Sequence, residues 1–172
     1  MPKLSHYGQR GEVQMVDVSA KQVTTRTAKA HAFVTMKPRV VAAVRGLQNP
    51  KGNPLEVARI AGIAAAKRTA EWIPLCHPLP LTHIDVTARL CENGVELHST
   101  VIATAQTGVE MEALVAVTAA ALTVYDMCKA LDKGMEIIDI YLVEKTGGKS
   151  GDFRRDQGTG KTPPRKARSA KR

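Results

Sequence analysis

An acid and a base lie three residues apart in a long apolar segment. On a helix, this spacing would put Asp126 and Lys129 on one face. Such a pair is either an ordinary surface ion pair or an acid and a base that act together on a substrate. The neighbouring Leu122, Tyr125 and Cys128 favour partial burial, and buried charged groups are typical of functional sites.

A proline-rich segment holds a thiol beside an imidazole. Residues 73–81 read Ile-Pro-Leu-Cys-His-Pro-Leu-Pro-Leu, and the three prolines restrict the backbone around Cys76 and His77. This stiffness is typical either of a rigid loop that leaves a helix or of a His77 held for chemistry. Adjacent residues rarely converge on one ion, and no second ligand cluster has recognisable spacing, so we expect no metal site.

Two further segments carry charges suited to a nucleotide. Glu110 and Glu112 follow Gly108 at the start of the long helix, where the helix dipole alone would favour negative charge. Residues 145–151 combine flexible backbone, two cations and two hydroxyls, which suits either a polyphosphate or a flexible exit loop. They do not form a Walker A loop, because Val143 occupies the place of its first glycine.

The charge is concentrated at one end of the chain. Of the net charge of +9 over 172 residues, residues 154–172 carry +7 and the rest only +2. We therefore expect a disordered basic tail over 154–172, solvated or in weak contact with RNA or an anionic surface, and a flexible arm over 1–14. The sequence shows no signal segment or membrane-spanning segment, and its three cysteines form no recognisable pattern, so we expect a cytoplasmic protein without membrane partners. The low aromatic content predicts that nucleic acid is not a partner.

Periodicity predicts the elements that position these groups. They are a strand over 28–36, helices over 38–47 and from 54 to about 71, a hairpin over 84–104 with an Asn93-Gly94 turn, a helix over 109–131 and a strand over 138–143. This order predicts an α+β, ferredoxin-like domain over 15–153, with an antiparallel sheet and helices packed on one face. Small residues in both long helices predict close packing. We expect oligomerisation to cover the other sheet face, which carries Phe33, Ile102, Ile137 and Val143.

Six segments, taken together, resemble one family. They are Met15–Ser19, Ala58–Ile63, Ile73–Pro78, Gly108–Leu114, Tyr125–Lys129 and Gly147–Phe153. Their order and spacing are similar to those of the cyclic pyranopterin monophosphate synthases of molybdenum cofactor biosynthesis. Thr146 and Gln106 depart from residues common in that family, Ser and Lys, and Gln106 weakens the case for phosphate binding at its position.

The resemblance implies a lyase that converts 3′,8-cyclo-7,8-dihydroguanosine 5′-triphosphate to cyclic pyranopterin monophosphate and pyrophosphate. It implies that Asp126 is catalytic with Lys129 as its partner, and that substrate contacts come from Leu75, Cys76, His77, Met111 and Glu112. To these we add Lys145 as a catalytic residue and Glu110, Lys51 and Arg26 as substrate-binding residues. No cofactor is required, although Mg²⁺ can accompany the triphosphate. The alternative is a non-catalytic nucleotide-sensing module, because this fold does not fix function.

The distance along the long helix bears on assembly. Glu112 and Asp126 are 14 residues apart in the sequence, which at about 1.5 Å per residue separates them by roughly 21 Å. One small substrate cannot bridge them within a subunit, so we expect active sites shared between subunits. The resemblance implies a homohexamer, a trimer of dimers.

Overall fold

A computed structural model describes residues 12–47, 49 and 51–156 of the chain. Its helices and strands are β1 Thr24–Thr35, α1 Pro38–Arg45, α2 Pro54–Ala66, α3 Thr69–Trp72, β2 Leu81–Leu90, β3 Gly94–Ala105, α4 Glu110–Cys128, β4 Ile137–Thr146 and β5 Phe153–Arg154. The strands form one antiparallel sheet in the order β2-β3-β1-β4-β5. Without the two-residue β5, this is the order of a split βαβ arrangement, which confirms the α+β, ferredoxin-like prediction.

The core lies between one face of the sheet and the helices. Alternate residues of β1, from Ala28 to Val34, are fully buried against α4, and residues of β3 such as Leu97 and Val101 join them. Burial on every second residue is the expected result for strands with one covered face. The helices therefore pack on one face, as predicted.

Helices α2 and α4 approach each other almost backbone to backbone. A Cβ atom added to Gly62 of α2 would lie 2.8 Å from the carbonyl oxygen of Ala116 and 3.2 Å from the methyl groups of Val86. The helices run in opposite directions, because Asn49 and Lys51, just before α2, bond to the last turn of α4. The small residues predicted to allow close packing do so here.

Strand β4 departs from the predicted strict alternation. Asp139 has a φ of 55°, and the pairing of β4 with β1 shifts between His31 and Phe33. The extra residue of this bulge puts both Ile137 and Leu142 against the core. The assignment of Ile137 to the open face was therefore wrong, because the bulge reverses the alternation.

Three helices are shorter than predicted. The helix expected over 38–47 ends at Arg45. The helix expected to run from 54 to about 71 is interrupted at Lys67 and Arg68, where the Thr69 hydroxyl donates to the Ala66 carbonyl. Helix α4 ends at Cys128 rather than 131, because a turn with a Leu131 N–H to Cys128 carbonyl bond follows it.

The sheet extends slightly beyond the predicted end of the domain. Arg154, assigned to the tail, pairs in β5 with Glu144, and the Arg155 N–H donates to the Val143 carbonyl. Most of the predicted arm and tail lies outside the described residues.

Helix α4 is long and apolar enough to span a membrane, but 61% of its apolar window is buried in the fold. The core helix of a globular protein has the same composition, so α4 gives only weak support for a membrane span.

Candidate active site

The first turn of α4 carries a deeply buried carboxyl group. Glu112 is only 3% exposed, although it lies two residues from the start of the helix. Burial raises the pKa of Glu112 to about 7; its backbone N–H opposes the rise, and the charge of Glu110 adds to it. At neutral pH this carboxyl can therefore both release and accept a proton. A surface carboxylate that only interacts with the helix dipole would stay ionised and could not do this.

The proline-rich loop lies against this carboxyl. A cavity of about 350 Å³ brings together five of the predicted substrate-binding residues, with Glu110 also at its wall. The five are Leu75, Cys76, His77, Met111 and Glu112. Residues 73–77 follow the short helix α3, and a bond from the Cys76 N–H to the Ile73 carbonyl, 3.0 Å long, turns the chain toward α4.

The thiol in this cavity is not activated as a nucleophile. Burial raises the pKa of Cys76, and the nearby charge of Glu112 raises it further. A thiol whose pKa lies above its ordinary value is protonated near pH 7. Cys76 therefore offers a neutral, polarisable surface and a weak donor rather than a thiolate.

A basic groove continues from the same cavity. A second cavity of about 350 Å³ shares Lys21, Thr107, Gly108 and Glu110 with the first, so the two form one cleft. Its other lining residues include Arg26, Lys145 and Lys149. The cleft therefore has a carboxyl, thiol and imidazole at one end and cations at the other.

Arg26 and Lys145 are held in this groove by the ends of strands. Arg26 is 7% exposed, and its guanidinium donates to the carbonyl oxygens of Ala105 and Gln106 at 3.3 and 3.4 Å. Lys145 lies opposite Ala28 of β1 and forms an ion pair of 2.8 Å with Glu110. The two cations thus stand near the first turn of α4, in a place that suits phosphate oxygens.

The glycines of the 145–151 segment allow this arrangement. Gly147 has a φ of 85°, and a Cβ atom there would collide with the carbonyl oxygen of Thr25. A Cβ on Gly148 would lie 3.0 Å from a guanidinium nitrogen of Arg26. The segment therefore lies directly over β1 and Arg26, and glycine is required for that approach.

Asp126, Lys129 and Lys51 form a separate cluster at the other end of α4. Asp126 accepts from Lys129 at 2.6 Å and from Lys51 at 3.2 Å. The hydrogen bond from Lys129, followed by that from Lys51, lowers the pKa of Asp126, and Asp126 in turn raises the pKa of Lys129. Asp126 and Lys129 are therefore both charged at neutral pH.

The expectation that this pair is partly buried was wrong for the single chain. The Asp126 side chain is 56% exposed, and those of Lys51 and Lys129 are about half exposed. Most apolar residues of α4 are buried against the sheet and α2, and these charges lie on its exposed side. Because α4 is continuous from Glu110 to Cys128, a rise of about 1.5 Å per residue keeps Asp126 roughly 21 Å from Glu112. Within one chain the predicted residues therefore fall into two groups.

Sequence reasoning missed several residues of the cleft. Lys21 lines both cavities from a turn before β1, where no periodicity marks it. Val16 and Val18 contribute the wall beside the Cys76 loop. Gln106 lines the groove, but its side-chain amide donates to the Ser19 carbonyl. Val16 and Val18 belong to Met15–Ser19, one of the segments that resemble the family. That resemblance was the only sequence signal that could have assigned them to the cleft.

The chain is similar to known proteins over most of its length. The chain matches the MoaC family over residues 15–148. A Staphylococcus aureus (strain JH9) protein named cyclic pyranopterin monophosphate synthase is 52% identical over 163 residues, which cover 92% of this chain and 99% of the relative. Proteins of the same name from Deinococcus radiodurans and Streptomyces avermitilis are both 54% identical, over 88% and 89% of this chain and 90% of each relative. The family match contains the Asp126 cluster and all of the cleft except Lys149 and Ser150 at the edge of the groove, and the chain belongs to the MoaC family.

Proposed function

We propose that the protein is a cyclic pyranopterin monophosphate synthase, a lyase of molybdenum cofactor biosynthesis. Its substrate is 3′,8-cyclo-7,8-dihydroguanosine 5′-triphosphate, and its products are cyclic pyranopterin monophosphate and pyrophosphate. The observation that carries this proposal is one continuous cleft with a proton-exchanging carboxyl at one end and cations at the other. The names of the relatives support the same reaction.

The basic groove supplies the charge that a triphosphate needs. Arg26, Lys145 and Lys149 line it, and the buried guanidinium of Arg26 is already oriented by two backbone carbonyls. Cations fixed before the substrate binds stabilise the charge that develops as pyrophosphate leaves. Glu110, paired with Lys145, holds that lysine where the two cavities meet.

The other end of the cleft suits the base. Leu75 and Met111 provide apolar walls, and His77 and Glu112 offer polar atoms to a guanine-derived ring. Opening and rebuilding that ring system requires protons to be moved, and a carboxyl with a pKa of about 7 is suited to this. No redox cofactor is needed for these steps, and Mg²⁺ would enter with the triphosphate.

Asp126 and Lys129 complete the site from a neighbouring subunit. The outer surface of the helices exposes apolar residues, among them Ile60 at 66%, with Trp72 and Leu122 about half exposed. A second copy packed on this surface with its helices antiparallel would bring Asp126 of the partner subunit toward the cavity at Glu112. Burying this apolar patch favours such a dimer. Three dimers would form the proposed homohexamer.

We place the enzyme in the cytoplasm. Cys76, Cys91 and Cys128 are free thiols, which suits a reducing compartment. The substrate is a nucleotide derivative, and the proposed chemistry takes place without nucleic acid or a membrane.

The direct test is incubation of the full chain with the cyclised dihydro-GTP. We expect stoichiometric formation of pyrophosphate and cyclic pyranopterin monophosphate, with and without a chelator that removes Mg²⁺. A nucleotide-sensing module of the same fold would bind the substrate and leave it intact. Tight binding without turnover by folded protein would favour that alternative and would refute the proposed activity.

A further inference from the structure

A second group of polar side chains lies on the opposite, open face of the sheet. His31 of β1 and His98 of β3 are directly opposite each other in the strand pairing, and their ring centroids are 5.0 Å apart. Glu96 lies beside both, with carboxylate oxygens 3.7 Å from His31 Nε2 and 3.6 Å from His98 Nε2. One potential ligand atom from each of the three residues lies within 4.8 Å of the others.

The surroundings of His31 fix the ring in the form that binds a metal. Its Nδ1 lies 2.9 Å from the Asp139 carbonyl oxygen, which can only accept, so Nδ1 carries the proton. The neutral ring then has its lone pair on Nε2, the nitrogen nearest to Glu96. A backbone carbonyl on the far nitrogen is the usual outer partner of a metal-bound histidine. The ring is also stacked on Tyr141 at 4.8 Å.

The bulge in β4 is what supplies this carbonyl. Asp139 adopts a φ of 55° at the point where the pairing of β1 with β4 shifts. The strained residue is thus the one whose carbonyl contacts His31. An irregularity that positions a ring in this way is typical of a functional position.

Glu96 keeps one carboxylate oxygen away from its arginine partner. Its carboxylate accepts two hydrogen bonds from Arg89, both on Oε2, at 2.5 and 3.1 Å. Oε1, the oxygen nearest to His31, makes none of these bonds to Arg89. The Arg89 side chain is largely exposed, so it can move when another cation arrives.

We propose that His31, Glu96 and His98 form a binding site for one divalent transition-metal ion of the zinc and cobalt class, separate from the active-site cleft. Ligand atoms around a tetrahedral zinc ion lie about 3.3 Å apart. The distances of 3.7 Å from His31 Nε2 to Oε1 and 3.6 Å from His98 Nε2 to Oε2 of Glu96 are close to this value. The three ligand atoms lie within 4.8 Å of one another, and a movement of the half-exposed His98 ring can bring them closer. The ion would join β1 to β3 on the open face and stabilise the sheet. Two imidazoles and a carboxylate are a common ligand set for this class of ion.

The test is metal titration of the untagged full-length protein. We expect one Co²⁺ per chain, with visible bands of nitrogen and oxygen ligation, and competition by Zn²⁺. We expect Zn²⁺ to raise the Tm of the wild type, because an ion that binds only the folded state stabilises it. His98→Gln and Glu96→Gln should weaken Co²⁺ binding by at least about 100-fold and abolish the Tm shift.

Two further variants separate this site from other metal-binding groups. His83→Gln removes an exposed histidine outside the cluster and should leave affinity unchanged. Arg89→Gln removes the competing cation and should tighten binding about two- to fivefold, the range for an exposed ion pair. A thiolate-to-cobalt charge-transfer band, equal binding by His98→Gln, or no binding by the wild type would overturn the proposal. Because His98 is half exposed, its variant will fold even if a His31 variant does not.

Discussion

Glu110 and Lys145 form an ion pair of 2.8 Å that joins the first turn of α4 to β4 where the two cavities of the cleft meet. The pair spans 35 residues of sequence. Both side chains are about one third exposed, so the lysine remains able to contact a bound anion. The pair therefore connects the proton-exchanging end of the cleft to its basic end.

Replacement of Lys145 by alanine should impair catalysis by at least about tenfold in kcat/KM, because a fixed cation beside the leaving pyrophosphate is lost. Steady-state kinetics on the proposed substrate measures this. Lys133→Ala removes an exposed lysine outside the cleft and is the matched control. Unchanged kcat and KM in Lys145→Ala would exclude the role.

The stability of the protein should depend on pH through Glu112. Its pKa is about 7 in the folded chain and about 4.3 when unfolded. The folded state therefore binds more protons between these values, and the free energy of unfolding falls as pH rises from about 4.3 to 7. The full loss, present above pH 7, is about 4 kcal/mol.

Glu112→Gln should remove this dependence. We expect the variant to match the wild type at pH 4.5 and to be more stable by up to about 4 kcal/mol at pH 8, while losing activity. Urea unfolding at fixed protein concentration measures the difference, and Glu92→Gln, in an exposed turn, is the control. Parallel pH profiles for Glu112→Gln and wild type would contradict the raised pKa.

Asp126→Ala and Lys129→Ala should each lower turnover by at least about 100-fold, the loss expected when a general acid or base is removed. The fold should survive, because both side chains are exposed on the outer side of α4. Circular dichroism checks the fold and pyrophosphate release checks turnover. Folded variants with nearly normal turnover would remove both residues from the catalytic machinery.

Mixing two inactive variants should restore activity if sites are shared. A dimer of Glu112→Gln with Asp126→Ala contains one site with both defects and one intact site. With random pairing, about a quarter of wild-type activity should return. Mass spectrometry of the mixture verifies subunit exchange. Exchange without recovered activity would show that each site lies within one chain.

Gly62→Ala should destabilise the protein even though alanine favours helices. The helix propensity gain is about 1 kcal/mol, but the new Cβ would lie 2.8 Å from the Ala116 carbonyl oxygen, and overpacking typically costs about 1–3 kcal/mol. We therefore expect a small net loss of about 1 kcal/mol. Thermal unfolding at fixed protein concentration measures it. A raised Tm would mean that the helices separate easily.

Local patterns predicted most of the fold. The Asn93-Gly94 hairpin and the small residues of α2 and α4 gave the correct elements, because each pattern reports a local backbone preference or a buried face. The order of the elements then restricted the sheet to a split βαβ arrangement. The same patterns could not show the bulge at Asp139, since it depends on how β4 pairs with β1.

Sequence reasoning could predict only part of the candidate site. Cys76, His77 and Glu112 were identified, but their meeting in one cavity depends on how the 73–80 loop packs on α4. Glu110 pairs with Lys145, and His31 faces His98. Both contacts join segments that are distant in the sequence, so no local spacing predicts them. The exposure of Asp126 was misjudged because apolar neighbours on a helix can all lie on its other side.

The continuity of α4 has a consequence for a cell that holds two alleles of this gene. With Glu112 at one end and Asp126 at the other end of a single rigid rod, each subunit contributes to two different sites of the proposed dimer. A subunit defective at both ends therefore disables both sites of any dimer that it enters. In an equal mixture with normal subunits, about a quarter of the activity would survive instead of about half. Such an allele would therefore interfere with the product of the normal one. Interference of this kind would not arise if each subunit completed its own site.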